Sequence, residues 1–163
     1  MVTIQETTRN DLQKIKTLWA DGDVMKFVGF PEGLHETDES MNKWFKWLES
    51  ARPLANHYSI FDDGVYCGEA FFDIDRAHDD SAALDIKLFS FARGKGIATK
   101  ALSFAIEEAF KNGARKVWVD PNPENHKAVA LYERLGFERR VMPEYLIEED
   151  EEPSSIYMEL LRK

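Results

Sequence analysis

From Phe91 to Leu102 the chain reads FARGKGIATKAL, two glycines and three cations at the start of an apolar helical stripe. The strand-like run DIKLFSF leads straight into it, and Ile97, Ala98, Ala101, Leu102, Ala105, Ile106 and Ala109 recur beyond it at helical period. A strand that feeds a glycine turn and then a helix start leaves the first helical amides without intrahelical partners, at the positive end of the macrodipole. Gly94 and Gly96 keep side chains away from those amides, Arg93 and Lys95 add positive charge, and small Ala98 lets a ligand approach the helix closely. Such a constellation binds an anion, phosphate above all. Two familiar phosphate loops do not fit: the P-loop requires a different glycine spacing before its Gly-Lys pair, and the dinucleotide fingerprint requires a third glycine where Thr99 stands.

A second group lies downstream. Asn125, Ala128 and Tyr132 recur at helical spacing and share one face. The plainer readings are that Asn125 caps its helix and Tyr132 is a core aromatic. On the strand-like AALDIKLFS, Leu84, Ile86 and Leu88 share one side, so Asp85 and Lys87 share the other. Asp85 then has two readings, a solvated carboxylate or an acid–base group facing a cleft. The single Cys67 has no disulfide partner and no metal-ligand spacing around it, and reads as a small residue packed in a strand; no metal is expected.

These residues need a scaffold. VTIQETT reads as a strand, a helix follows Asn10, and a second helix follows Thr37 through DESMNKWFKWLESA. HYSIFDD, GVYCGEAFFDID and AALDIKLFSF read as three strands, the first two joined by an Asp63-Gly64 turn. The glycine-opened helix ends at Asn112-Gly113. RKVWVD is then a short strand, and PENHKAVALYERLG a helix starting after Asn122 with Pro123 in its first turn. FERRVMPEYLI and SSIYMELLR are two closing strands, and IEEDEEP between them is a solvated turn.

The 163 residues, 44% of them hydrophobic, suffice for one full-sized core, so a single domain over residues 1–163 is expected. No apolar run reaches the length of a membrane span and the N-terminus lacks a secretory pattern, which predicts a cytoplasmic protein. A formal net charge of −9 argues against nucleic acid as a partner and suits cationic small molecules.

The pattern of Arg or Gln, two residues, Gly, one residue, then Gly or Ala is met by Arg93, Gly96 and Ala98. At these residues the sequence resembles the GNAT family of N-acetyltransferases, in which this loop binds the pyrophosphate of acetyl-coenzyme A. The block DPNPENHKAVALYERLGFER resembles the family's following strand and helix, and the combined likeness covers roughly residues 81 to 140 by motif. Within the family, the Asp-Pro-x-Pro-x-Asn run is most similar to the aminoglycoside 6′-N-acetyltransferases, with ribosomal-protein and other amine acetyltransferases nearby. The resemblance implies an α+β, α/β/α-layered fold: a central, mostly antiparallel mixed sheet of about seven strands flanked by about four helices.

It also implies roles. Acetyl-CoA is the implied cosubstrate, held by the backbone from Leu88 through Phe89 to Phe91, by the loop Arg93, Gly94, Lys95, Gly96, Ile97, Ala98 and Thr99, and by Asn125, Ala128 and Tyr132. Tyr132 would protonate the departing thiolate, and Asp85 would bind the acceptor ammonium and take its proton. Trp19, Phe27 and Phe30, with Trp44 and Trp47, lie where the family builds its acceptor site; they are core residues or stack against the acceptor. The implied reaction is acetyl transfer to a primary amine of a small cationic molecule, aminoglycoside- or polyamine-like, by a monomer or homodimer acting away from membranes. The alternatives are a protein N-terminal acetyltransferase of the ribosomal-protein type and a non-catalytic acyl-CoA-binding regulatory module.

Overall fold

The computed structural model describes residues 1–147 and 156–163. In chain order the elements are β1 (Val2–Glu6), α1 (Leu12–Ala20), α2 (Gly22–Met25), α3 (Asp38–Ala51), β2 (Ala55–Asp62), β3 (Val65–Asp75), β4 (Ser81–Leu88), α4 (Ile97–Lys111), β5 (Lys116–Val119), α5 (His126–Arg134), β6 (Glu138–Arg139) and β7 (Met158–Leu161). The seven strands form one sheet in the order β1-β2-β3-β4-β5-β7-β6. Every pairing is antiparallel except β4 with β5. The short α2 is a fifth α-helix beside the four expected. No described helix is long and apolar enough to cross a membrane.

Strand alternation sorts the core into two layers. Tyr58 and Ile60 of β2, Ala70 and Phe72 of β3, and Ala82 and Leu84 of β4 meet the apolar stripe of α4, whose Ile97, Ala101, Leu102, Ala105, Ile106 and Ala109 are buried. On the other sheet face, Leu12, Ile15 and Leu18 of α1 pack with Met41, Phe45 and Leu48 of α3, beside Phe61, Tyr66 and Phe71. A bulge at Ile60/Phe61 moves the register, so that Tyr66 joins the α1–α3 layer while Cys67 is buried in the α4 layer. Cys67 is thus the packed strand residue expected.

Local chemistry sets the element ends. Helical winding begins before α1 in a tight turn at Arg9–Asp11, with the Asp11 carboxylate accepting from the Thr8 amide at 2.8 Å, so Thr8 and Asp11 start the helix rather than Asn10. Thr37 caps α3, its hydroxyl accepting from the Ser40 amide at 3.0 Å. The helix expected after Asn122 begins only at His126: Asn122 turns the chain by accepting from the Glu124 amide, and Asn125 is the cap. The run 137–147 forms only the two-residue β6 and a later tight turn at Glu144–Leu146, rather than one long strand. Residues 148–153 of the acidic turn, and Ser154 and Ser155 of the last strand, lie outside the described residues.

The feature that positions the site is the parting of β4 from β5. Their ladder runs only through Ser81↔Lys116, Ala82↔Val117 and Ala83↔Trp118. β5 then ends at Val119, and Pro121 follows with no amide hydrogen to offer. β4 continues to Leu88, so its edge from Leu84 onward faces open space instead of a neighbouring strand.

Candidate active site

That parting opens a cleft of about 880 Å³. One wall is the free edge of β4, Leu84 to Leu88; the facing wall is the end of β5 with α5; the floor is the loop from Arg93 and the first turn of α4; and α2 with Phe27 closes one side. Of the residues expected to act, Asp85, Leu88, Arg93, Gly94, Gly96, Ile97, Ala98, Thr99, Asn125, Ala128, Tyr132 and Phe27 line this one cleft. Others stand away from its wall. Phe89 and Phe91 stack on each other with Phe91 half exposed, and Phe30 is exposed. Trp19 is turned into the α1–α3 layer, where its indole nitrogen donates to Glu69. Lys95 is exposed between its two glycines.

The loop has the form an anion needs. Gly94 and Gly96 have φ of +76° and +78°, the left-handed region that disfavours side chains, and a Cβ on either would meet no protein atom within 4 Å. Among the described residues, none of the consecutive amides from Gly94 to Thr99 donates to a protein acceptor. A row of unsatisfied amides around open space, at the start of a 15-residue helix, fits a pyrophosphate. Arg93 is placed differently from a simple phosphate cation. Its guanidinium donates to Asp23 at 2.9 Å and to the Leu88 carbonyl at 3.0 Å, tying α2 to the loop. Lys26 and Arg93 together hold the Asp23 carboxyl below its ordinary value.

The facing wall carries the titratable groups. Tyr132 is 6% exposed, and among the described residues its hydroxyl has no hydrogen-bond partner. Burial, reinforced by the charges of Asp85 and Asp120, pushes that hydroxyl well above the ordinary tyrosine range, so it remains protonated at neutral pH. Asp120 stands at the rim, and desolvation by the cleft wall followed by the charge of Asp85 raises its carboxyl. Asp85 faces the cleft with its side chain 41% exposed and is ion-paired with Lys87 on the same side of the strand. Asn125 does what the plainer reading asks, its side-chain oxygen accepting from the Ala128 amide at 3.3 Å, while still lining the cleft.

Sequence reasoning passed over Asp120 and Asp23. Asp120 had a signal, an acid immediately before the proline that ends β5, where a parallel strand delivers its side chains to a cleft. Asp23 had none, because its partner Arg93 is 70 residues away.

Comparison with known proteins agrees with this geometry. Residues 2–138 match the model of the acetyltransferase (GNAT) domain. A kanamycin resistance protein of Rhizobium radiobacter is 40% identical over 48 residues, a stretch that is 29% of this chain and 44% of that relative, so the match spans less than half of its length. A spermidine N-acetyltransferase from Vibrio cholerae, solved with CoA and spermine, superposes with a TM-score of 0.79 at 21% identity over 98% of this chain and 95% of the other. A phosphinothricin acetyltransferase from Sinorhizobium meliloti, solved with acetyl-CoA, gives 0.79 at 21% identity over 98% of this chain and 88% of the other. At these identities the structural likeness establishes the fold, and the family model, matched over most of the chain, establishes the lineage: the protein belongs to the GNAT acetyltransferase family.

Proposed function

We propose that the whole chain acts as one N-acetyltransferase domain that moves acetyl from acetyl-CoA to a primary amine of a small cationic molecule, of the aminoglycoside or polyamine kind. The observation that carries this reading is the meeting, in one cleft, of the open amides of residues 94–99 with Tyr132, Asp85 and Asp120. The kanamycin resistance relative and the spermine-bound neighbour support the acceptor class.

In this reading the amides from Gly94 to Thr99 hold the pyrophosphate, and Thr99 and Ala98 present the first turn of α4 to it. The free edge of β4 offers backbone groups to an extended amide-bearing arm, the way a sheet edge accepts an added strand. The thioester of the cosubstrate supplies the activated acetyl group. Asp85 and Asp120 bind the acceptor ammonium between them, and Asp85 takes up its proton, directly or through water. Tyr132, kept protonated by its burial, donates to the sulfur as the amine replaces it. Since a thiol has an ordinary pKa of about 8.5, the sulfur departs with modest help, and most acceleration comes from holding amine and thioester together.

The test is thiol release from acetyl-CoA across aminoglycosides, spermidine and short peptides with a free N-terminal Ala or Ser, using wild type and Asp85→Asn. Turnover on the aminosugars or the polyamine, with both acceptor KM and kcat damaged in Asp85→Asn, is the expected result. Turnover confined to peptides would move the protein to the ribosomal-protein type, and CoA binding without turnover on any amine would make it a binding module.

A further inference from the structure

Below Asp85 the sheet holds a row of charged and polar side chains that the reaction scheme leaves unused. Antiparallel register sets Glu69 directly opposite Lys87, Ser59 opposite Glu69, and Phe71 opposite Asp85. Glu69, Lys87 and Asp85 therefore share the sheet face toward α1 and α3. The Lys87 ammonium is ion-paired with Asp85 on one side and lies 3.6 Å from Glu69 on the other. Glu69 is only 3% exposed. Its two oxygens are taken by the His57 ring and by the Trp19 indole, the latter at 2.6 Å. His57 is fixed in turn by the Thr7 hydroxyl at 2.6 Å, and Thr7 by the Ser59 hydroxyl at 2.8 Å, while Trp44 packs edge-on against the imidazole.

Charges in this position are poor stabilisers, because burial removes hydration that pairing only partly restores, and apolar side chains would fill the same space as well. Their placement says what they do. Of Lys87, Glu69 and His57, Lys87 alone reaches the cleft, and its ammonium touches the carboxylate that faces the acceptor. Lys87 is not itself a nucleophile: although burial favours its neutral form, the Asp85 and Glu69 carboxylates outweigh that and keep it protonated. Glu69 is likewise kept ionised, since burial alone would raise its carboxyl but His57, Lys87 and the Trp19 indole hold it below its ordinary value.

We propose that Lys87 is a positioning residue for acetyl transfer, clamped from beneath by the Glu69–His57–Trp19 cluster so that its ammonium holds the Asp85 carboxylate turned toward the acceptor amine. The inference rests on the reading of Asp85 as the acceptor-facing base. The charged and titratable groups that bear on the Asp85–Lys87 pair are Glu69 of β3, His57 of β2 behind it, Asp120 beyond the end of β5 and Tyr132 of α5. Lys87 thus tempers the negative charge of the acceptor subsite as well as orienting it.

The experiment uses the full chain with acetyl-CoA and the best amine from the acceptor panel. Lys87→Met should lower kcat/KM for the acceptor by roughly 10- to 100-fold, the scale of a misplaced catalytic group. It should leave CoA affinity unchanged. Lys87→Arg, which keeps the charge, should retain more activity than Lys87→Met. In an Asp85→Asn background, Lys87→Met should add nothing further, because the pair acts as a unit. Should Lys87→Met fail to fold with Glu69 left unpaired, Glu69→Gln/Lys87→Met removes both charges and is read the same way. A folded Lys87→Met variant with wild-type kcat/KM, while Asp85→Asn is impaired, overturns the positioning role and leaves the Asp85 reading standing. Losses that add in the double variant overturn it too, and an Asp85→Asn protein as active as wild type removes the reading beneath it.

Discussion

Placing a carboxylate at Gly96 tests the cofactor loop by two separable effects. The backbone there sits at φ +78°, so any L side chain meets a left-handed strain of roughly 1–2 kcal/mol. In a chain of 163 residues that corresponds to a Tm lower by roughly 2–8 °C. A Cβ at Gly96 has no protein neighbour within 4 Å, so sterics within the folded protein add nothing to this. The second effect is felt only with ligand. In Gly96→Asp, the new carboxylate about 4 Å from a phosphate charge is opposed by about 1 kcal/mol in water and about 4 kcal/mol at a protein surface. The loop is exposed, which favours the lower half of that range, a loss of CoA affinity of roughly 5- to 70-fold. Gly96→Ala carries the same strain without the charge and is the control. Calorimetric titration of CoA into both variants at low and high salt should find Gly96→Asp weaker than Gly96→Ala, with the gap narrowing as salt rises. Equal affinities of the two folded variants, or a wild-type affinity for Gly96→Asp, would refute the placement of the pyrophosphate on these amides.

Tyr132→Phe keeps the buried ring and its 5.4 Å packing against Phe137 but removes the hydroxyl, so kcat should fall roughly 10- to 1,000-fold with CoA binding intact; equal turnover in a steady-state assay would reduce Tyr132 to packing. Gly33→Ala should destabilise strongly, because its Cβ would lie 2.1 Å from the Ala20 carbonyl oxygen at φ +84°; a thermal melt within about 2 °C of wild type, less than roughly 1 kcal/mol would produce, contradicts that close approach. Glu69 has a folded-state value held at about 2 against an ordinary 4.5, so the stability it contributes is present above pH 4.5 and is lost as pH falls toward 2. Thermal melts from pH 6 to pH 3 should therefore fall less steeply for Glu69→Gln than for wild type, and parallel curves would assign the acid loss to other carboxylates.

The parts of this site that were legible in the sequence are those whose physics is local. Gly94, Gly96 and the apolar stripe from Ile97 announce a bare helix start because backbone freedom and helical period are written in neighbouring residues. Alternation alone put Asp85 and Lys87 on one side of a strand, and the structure keeps them there as an ion pair. What that side faces depends on register between strands, which no local pattern carries. Glu69 reaches Lys87 because the long β3–β4 ladder sets the two opposite each other, and Trp19, expected near the acceptor, spends its indole hydrogen on the same carboxylate from α1, 50 residues away in the chain. The late start of α5 has a nearer cause. Asn122 and Asn125 are both good caps, and two prolines around Asn122 hold the chain in a turn until the second of them can begin the helix.

One physical arrangement explains why the cleft can hold such unlike chemistries. Along a paired strand, alternate side chains are kept apart by the sheet itself, one set in each layer. β4 loses its neighbour after Ala83, and from there its edge is part of the cleft wall, so Leu84, Ile86 and Leu88 from the α4 side and Asp85 and Lys87 from the α1–α3 side all border the same space. The α4 side brings apolar residues and the bare amides of the glycine loop; the other brings carboxylates and a partly buried cation. In the proposed reading, a ligand laid along the free edge keeps its phosphates on the amides of one layer while its reactive end meets the carboxylates of the other. That crossing of the sheet plane is open here because the fifth strand stops early, and in this sequence the stop is Pro121.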